Sequence, residues 1–192
     1  MSDPALVLRD ILRVDHAGEY GAIRIYRAQI AIARWRAPDL VAMLQDALGD
    51  ETRHRDLFDA GLRERGLRPC DMLPLWGIGG TLLGTGTALL GREAILTCSE
   101  AVERTVHRHM DDQVAWLMPR APDLSTAIAA IRDEEVDHLH RARRARAGAT
   151  PPTWLRLLDV VVATATELLV WLSTYGASSR LLRHLGMKDG AA

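Results

Sequence analysis

One pattern occurs twice in this chain at a constant offset. Glu19 is followed by Glu51 and His54, and 84 residues later the same set returns as Glu103, Glu135 and His138 (19 to 103, 51 to 135, 54 to 138). Neighbouring residues keep the register. Arg36-Ala37-Pro38-Asp39-Leu40 recurs as Arg120-Ala121-Pro122-Asp123-Leu124, and Leu12/Leu96, Ala17/Ala101, Arg24/Arg108, Gln29/Gln113 and Ala31/Ala115 follow. Such a register implies a duplicated helix pair, each copy carrying Glu followed by Glu-x-x-His, and so restricts the fold to two related pairs packed on one another.

Helical periodicity supports this. Ser2 and Asp3 before Pro4 mark a helix start, and the stripe Leu8, Leu12, Glu19, Ile23, Tyr26, Ile30 carries a first helix to about Trp35. Pro38-Asp39 opens a second, with the stripe Leu44, Ala47, Glu51, His54, Phe58, Leu62, and Gly66 closes it. A third begins near Arg92 and carries Leu96, Glu103, Met110, Val114 and Leu117. Pro122-Asp123 opens a fourth, with Leu124, Ile128, Ile131, Glu135, His138 and Ala142. The expected fold is all-α: a four-helix bundle in one domain over residues 1–192, with helix pairs over 4–66 and 92–147, an apolar crossover over 70–91 and an added C-terminal helix over 153–186.

In the second and fourth helices the Glu and His lie inside the apolar stripe, where a surface ion pair would not be placed. Burying a carboxylate without a partner costs several kcal/mol, so four of them in one core call for cations. Glu-x-x-His sets both side chains on one face, a turn apart. Two such pairs plus one Glu from each remaining helix form the ligand pattern of di-iron and di-manganese carboxylate bundles. Two divalent ions balance four carboxylates and two neutral imidazoles, and an oxygen- and nitrogen-rich set suits iron or manganese. The expected metal ligands are therefore Glu19, Glu51, His54, Glu103, Glu135 and His138. Glu134 is expected to be a solvated carboxylate pointing off the ligand face. Asp50 and Asp137 are expected as exposed helix charges, with ligand orientation as their other reading. Glu100 is open between the surface and a place beside the ligands. His16 and His107 are expected to be structural, and Tyr26 a core residue that is also a candidate contact for a bound species.

The bulk composition is that of a globular chain, with 48% apolar and 26% charged residues. A formal charge of −1 gives no sign of a nucleic-acid partner. The run Arg141, Arg143, Arg144, Arg146 is expected to be a solvated helix end. Cys70 and Cys98, without a C-x-x-C spacing, are expected to be free, buried thiols. Met1-Ser2-Asp3-Pro4 shows no basic or apolar leader pattern. The crossover from Leu73 to Gly91 is apolar and nearly uncharged, with six glycines and a proline. It is expected to dip into one leaflet or pack on the bundle rather than span a bilayer. The C-terminal helix is apolar around most of its circumference but interrupted by Arg156, Asp159 and Glu167, which also argues against a span.

Specific strings resemble the demethoxyubiquinone hydroxylase family of ubiquinone biosynthesis. They are Arg13-Val14-Asp15-His16-Ala17-Gly18-Glu19-Tyr20-Gly21-Ala22, Met72-Leu73-Pro74-Leu75-Trp76, Gly86-Thr87-Ala88-Leu89-Leu90-Gly91, Ala101-Val102-Glu103, and Arg132-Asp133-Glu134-Glu135 with His138. The resemblance runs from about Arg13 to Trp171. It implies a ferritin-like bundle holding two Fe ions on the six residues already identified. It also implies O2-dependent hydroxylation of the ring of 2-polyprenyl-3-methyl-6-methoxy-1,4-benzoquinol (demethoxyubiquinol), with electrons from the quinol or from NADH. Further implications are a peripheral place on a membrane lipid surface and, as candidate partners, a lipid-binding ubiquinone-biosynthesis protein and a second copy of the chain. The location would be the cytoplasmic face of a bacterial inner membrane or the matrix side of the mitochondrial one.

Two departures from the family stand out. Its usual His-Tyr after the residue matching Glu103 is His109-Met110 here, making both residues candidate substrate contacts. Its terminal Leu-Ser-Glu-Arg is Leu172-Ser173-Thr174-Tyr175, followed by a tail with Arg180, Arg183 and His184. The competing reading is a ferritin-like iron-binding or redox protein without quinone chemistry. A rubrerythrin form is disfavoured by the lack of a four-cysteine centre.

Overall fold

The computed structural model describes residues 3–146 and 151–174, all of whose regular structure is helical. Helix α1 is Pro4–Arg36, α2 Val41–Glu64, α3 Leu73–Leu90, α4 Arg92–Leu117, α5 Pro122–Arg146 and α6 Thr153–Ser173. The Asp3 carboxylate accepts the Ala5 N–H at 2.9 Å and caps α1, with Pro4 in the first turn. A single 3-10 turn, Pro38–Leu40, leads into α2. Gly66, at φ +62°, ends α2 in the left-handed conformation, and the Leu67 N–H donates to the Leu62 carbonyl at 2.9 Å. The part of the expected C-terminal helix beyond Thr174, with Tyr175, Arg180, Arg183 and His184, lies outside the described residues, as does residue 147.

Helix α1 packs along α2 and α4 along α5, giving the two expected pairs. Among the described residues, two of the four apolar clusters of the core lie on either side of the acidic residues, toward opposite ends of the bundle, and the other two lie beneath α3 and α6. The first includes Ile11, Leu12, Phe58, Met110, Val114, Leu117, Leu124, Ile128 and Ile131. The second includes Ile95, Leu96, Ala142, Tyr26, Ile30, Ala33, Leu40, Leu44 and Ala47. Each residue of the second list stands 84 positions from its counterpart in the first. The duplication therefore builds two equivalent apolar ends, and the acidic residues lie between them. Buried residues of α2 are Leu44, Ala47, Glu51, His54, Phe58 and Leu62, the stripe expected from periodicity.

The crossover is itself a helix, α3, laid against α1. Its glycines make this close approach possible. A Cβ on Gly80 would stand 2.5 Å from the Gly21 carbonyl oxygen, and one on Gly84 would run into the Ile25 carbonyl. Gly77, Gly80 and Gly84 recur at helical spacing and form a groove for α1, taking the Tyr20 ring at Gly77 and the α1 backbone at Gly80 and Gly84. Helix α3 is long and apolar enough to cross a membrane by length and composition, but a third of it is covered by the rest of the protein.

Helix α6 lies mainly on α4. Its interrupting charges are the anchors: Arg104 donates to both oxygens of Asp159 at 2.9 Å, and Arg108 donates to Glu167 at 3.1 Å. The Trp76 indole N–H of α3 reaches the Ser173 hydroxyl at 2.8 Å. Leu155, Val162, Thr166 and Val170 face inward, while Leu157, Val160, Val161, Leu168 and Trp171 are exposed. One face of this helix is therefore interior and the opposite face is exposed.

Candidate metal centre

The structure brings all six expected residues together between the apolar ends. Each is at least 95% buried. Ligand atoms of Glu19, Glu51, His54 and Glu135 all lie within 4.8 Å of one another, as do those of Glu51, Glu103, Glu135 and His138. Glu51 and Glu135 belong to both groups. This arrangement provides two adjacent positions with shared central carboxylates and one terminal Glu and one His each.

The imidazole orientations fit metal binding. His138 Nε2 lies 2.9 Å from Asp50 Oδ2, and His54 Nε2 lies 3.0 Å from Glu134 Oε2. An ionised carboxylate only accepts, so both Nε2 atoms carry the proton and Nδ1 faces the acidic cluster. His54 Nδ1 sits 3.0 Å from Glu135 Oε1, yet both atoms lack a well-formed hydrogen bond, as does Glu51 Oε1. Three buried donor atoms converging without partners are what a cation would satisfy.

Asp50 and Glu134 are themselves 84 residues apart, each immediately before one of the two shared carboxylates, Glu51 and Glu135. They act crosswise, Asp50 of α2 on His138 of α5 and Glu134 of α5 on His54 of α2. For Asp50 the alternative reading, orientation of a ligand, is the one observed; the expectation of a purely solvated Glu134 is corrected, because its own helix face does not show the His54 partner across the interface, although the side chain stays partly exposed. Arg53 joins the two acids, contacting Asp50 at 2.5 Å and Glu134 at 3.0 Å. Although partial burial opposes it, bonds from His138 and Arg53 hold the Asp50 carboxyl down at about 2. Asp137 is exposed, as expected.

Without metal the cluster retains protons. Burial, then the Glu51 charge, pushes Glu19 well above its ordinary value, and burial with Glu135 does the same to Glu103. Burial works against charge on His138, but Glu135 and Glu51 beside it push it up to about 12. His54 is raised by Glu135 in the same way, against its own burial. Glu135, buried between the two imidazoles, is driven down by their hydrogen bonds. A metal would take the place of these protons.

Tyr26 donates its hydroxyl to Glu103 Oε1 at 2.6 Å. It steadies a carboxylate and is not part of the cavity wall described below. Its repeat counterpart is Met110, so no phenol plays this part for Glu19. Glu100 pairs with Arg146 at 3.0 Å, away from the ligands. The basic run is correspondingly less solvated than expected, with Arg146 and Arg141 tied to acids of α4 and α2. His16 is buried 3.8 Å from Asp59, and His107 faces Asp111 at 3.3 Å; neither is among the converging donor atoms. Cys70 and Cys98 are free and buried.

A cavity of about 150 Å³ opens onto the acidic cluster from between α1, α3, α4 and α6, reaching Glu19, Glu51, Glu103 and Glu135. That volume accommodates one six-membered ring. Its wall is apolar, with Trp76, Leu83, Val106, Met110, Leu169 and Val170. His109 also lines it and meets Glu167 at 2.9 Å. Asp15 and Gln113 are further polar members that motif reading did not single out. A signal was present: Asp15 lies one turn before Glu19, and its repeat counterpart is Ser99, so the acid breaks the duplication. Burial pushes the Asp15 carboxyl up to about 7, with the Gln113 bond opposing.

Comparison with known proteins agrees with the arrangement. Residues 7–173 match the family described as ubiquinone biosynthesis protein COQ7. The chain is similar to the 3-demethoxyubiquinol 3-hydroxylase of Rhodospirillum rubrum, 36% identical over 172 residues, covering 88% of this chain and 79% of that protein. It is similar to the mitochondrial NADPH-dependent 3-demethoxyubiquinone 3-hydroxylase of Mus musculus, 39% identical over 132 residues, covering 67% of this chain and 60% of that protein. A third relative is the mitochondrial 5-demethoxyubiquinone hydroxylase of Saccharomyces cerevisiae, 33% identical over 153 residues, covering 72% of this chain and 66% of that protein. A family match spanning nearly the whole chain, with its duplicated Glu and Glu-x-x-His sets gathered beneath an apolar cavity, means that this chain belongs to the COQ7 family of ubiquinone biosynthesis proteins.

Proposed function

We propose that the protein is a di-iron monooxygenase that hydroxylates the ring of demethoxyubiquinol. The observation that carries this reading is the direct opening of a ring-sized apolar cavity onto paired carboxylate and imidazole sets. Glu19 and His54 would hold one iron and Glu103 and His138 the other, with Glu51 and Glu135 shared between them. When bound, the irons supply two-electron activation of O2. One oxygen atom enters a ring C–H bond and the other leaves as water, consuming two electrons and two protons. A reduced nicotinamide is the proposed ultimate donor; the family resemblance implies the quinol itself or NADH, and the mouse relative's name specifies NADPH.

The chain's own residues do the rest. Asp50 and Glu134 keep the imidazole Nδ1 atoms turned inward. Tyr26 fixes Glu103. The apolar wall keeps water from the reacting carbon. A polyprenyl tail leaves lipid at a cost of about 0.8 kcal/mol per CH2, so the enzyme should meet its substrate at a membrane. Helices α3 and α6, which flank the cavity, expose Ile78, Leu82, Leu90, Leu157, Val160 and Leu168. These faces support peripheral attachment, on the cytoplasmic side of a bacterial inner membrane or the matrix side of the mitochondrial one. A lipid-binding partner protein and self-association belong to the same reading.

The test is iron content and quinol hydroxylation of protein prepared with iron. The expected result is about two irons per chain and a hydroxylated product. Glu135→Ala should remove about one metal and nearly all turnover while the helical fold survives. Protein that binds iron in normal amounts but leaves the quinol unchanged would favour a ferritin-like storage or redox role. Unchanged metal content in the Glu135 variant would refute the ligand assignment.

A further inference from the structure

The wall of the cavity beside the acidic cluster is mainly apolar, and one polar pair in it is left incompletely satisfied. Gln113 of α4 donates through Nε2 to Asp15 Oδ1 of α1 at 2.8 Å. Both side chains are more than nine-tenths buried and both line the cavity. Two acceptor atoms of the pair, Asp15 Oδ2 and Gln113 Oε1, have no hydrogen-bond partner among the described residues. Leaving a buried acceptor unpaired is costly, and two in one pair are not explained by holding α1 against α4, since the Nε2 to Oδ1 bond already does that. The duplication locates the difference at the cavity. Gln29, the counterpart of Gln113, also leaves its Oε1 without a partner, but its Nε2 donates to the Thr87 hydroxyl at 3.1 Å beneath α3 and it does not line the cavity. Where Gln113 meets an acid, the other copy has Ser99, and only the acidic version faces the cavity.

We infer that Asp15 and Gln113 form the polar anchor of the ring-binding cavity, accepting a hydrogen bond from a ring hydroxyl of the reduced quinol. This rests on the function proposed above, and names the residues that orient the ring toward Glu19 and Glu103. Paired acceptors favour a ligand that donates. A quinol carries two O–H donors, whereas the oxidised quinone and an O-methylated ring offer only acceptors. With Asp15 ionised, its carboxylate and the amide oxygen therefore select for redox state as well as position. Asp15 and Gln113 act here as positioning residues, not as ligands to the metal.

The test is binding, read by anaerobic equilibrium dialysis on the alkaline side of neutrality, with metal content measured in parallel. The probes are a short-tailed demethoxyubiquinol and its dimethyl ether. Wild-type protein should bind the quinol about tenfold more tightly than the ether, the discrimination expected of a hydrogen bond to a charged acceptor. Gln113→Leu and Asp15→Leu should reduce quinol affinity to that of the ether, with ether binding and metal content unchanged. Asp15→Asn keeps the shape and the bond from Gln113 but places an N–H where the free acceptor stands. It should fold normally and lose most of the preference for the quinol, which protects the test if the leucine variants fail to fold. Retention of the full preference in these variants would overturn the anchor while leaving the hydroxylase reading intact. Wild-type protein that binds neither probe would overturn the hydroxylase reading and the anchor together.

Discussion

Two residue pairs decide how the acidic cluster is held. Asp50 and Glu134 each reach across the bundle to the imidazole of the opposite helix, at 2.9 and 3.0 Å. Removing such an outer partner typically weakens metal affinity about 10- to 100-fold. Asp50→Ala should therefore weaken the position served by His138, and Glu134→Ala the one served by His54, in a ferrous titration of the purified chain. Unaltered affinity for both ions would mean the imidazoles are oriented by packing alone. Tyr26 presents a different case, because its partner Glu103 is buried whether or not metal is bound. Tyr26→Phe leaves that carboxyl short of a donor, at a cost of about 1–3 kcal/mol. The loss should appear in thermal melts of the metal-free protein and shrink once metal satisfies Glu103. An equal loss in both forms would assign the effect to the ring's packing.

Among the elements, α3 is the one whose chemistry is easiest to misread. It is apolar, glycine-rich and of near-spanning length, yet its glycines form a groove for α1. Gly84→Ala puts a methyl group against the Ile25 carbonyl, a backbone atom that cannot move aside. We expect about 1–3 kcal/mol of destabilisation from such overpacking and a disturbed cavity, since Gly79, Gly80 and Leu83 line it. Gly86→Ala is the control. Nothing lies within 4 Å of the added carbon, so it should be neutral or gain up to about 1 kcal/mol from helix propensity. Denaturant midpoints of the two variants that move together would show that α3 is not closely seated. Helix α6 combines the opposite roles: charges that would forbid a bilayer span tie it to α4, and its outer face is left apolar.

At the scale of the whole molecule, the metal and the fold are linked through protons. Glu19, Glu103 and Asp15 hold their protons more tightly in the folded, metal-free chain than in the unfolded one, because burial disfavours their charge. Their contribution is complete below the ordinary values, 4.5 for the two glutamates and 3.8 for Asp15, and is lost as pH rises through the folded values. His54 and His138, also raised, extend the loss above their ordinary 6.5. Glu135, lowered, works the other way, and only as pH falls below 4.5. The melting temperature of metal-free protein should therefore fall from mildly acid to neutral pH and beyond. Metal-loaded protein should lose less, since cations replace the protons, and the gap between the two forms should widen with pH. A gap that stays constant would mean that the cluster does not exchange protons for metal.

The sequence by itself determined the helix pairs, the stripes that face inward and the six converging side chains. Period and offset are local properties: Glu51 and His54 share a face with Leu44, Ala47 and Phe58 wherever that helix is placed, and a repeat of 84 residues carries the same face into the second pair. The tertiary structure alone decided which faces meet. The crosswise bonds of Asp50 and Glu134, the seat of α3 on Gly80 and Gly84, the α4 anchors of α6 and the meeting of Asp15 with Gln113 all join residues about 50 to 100 positions apart. Periodicity says which residues are equivalent and which way each side chain points from its own axis. It does not say which neighbouring helix lies opposite, and a polar group's role depends on the partner it finds there.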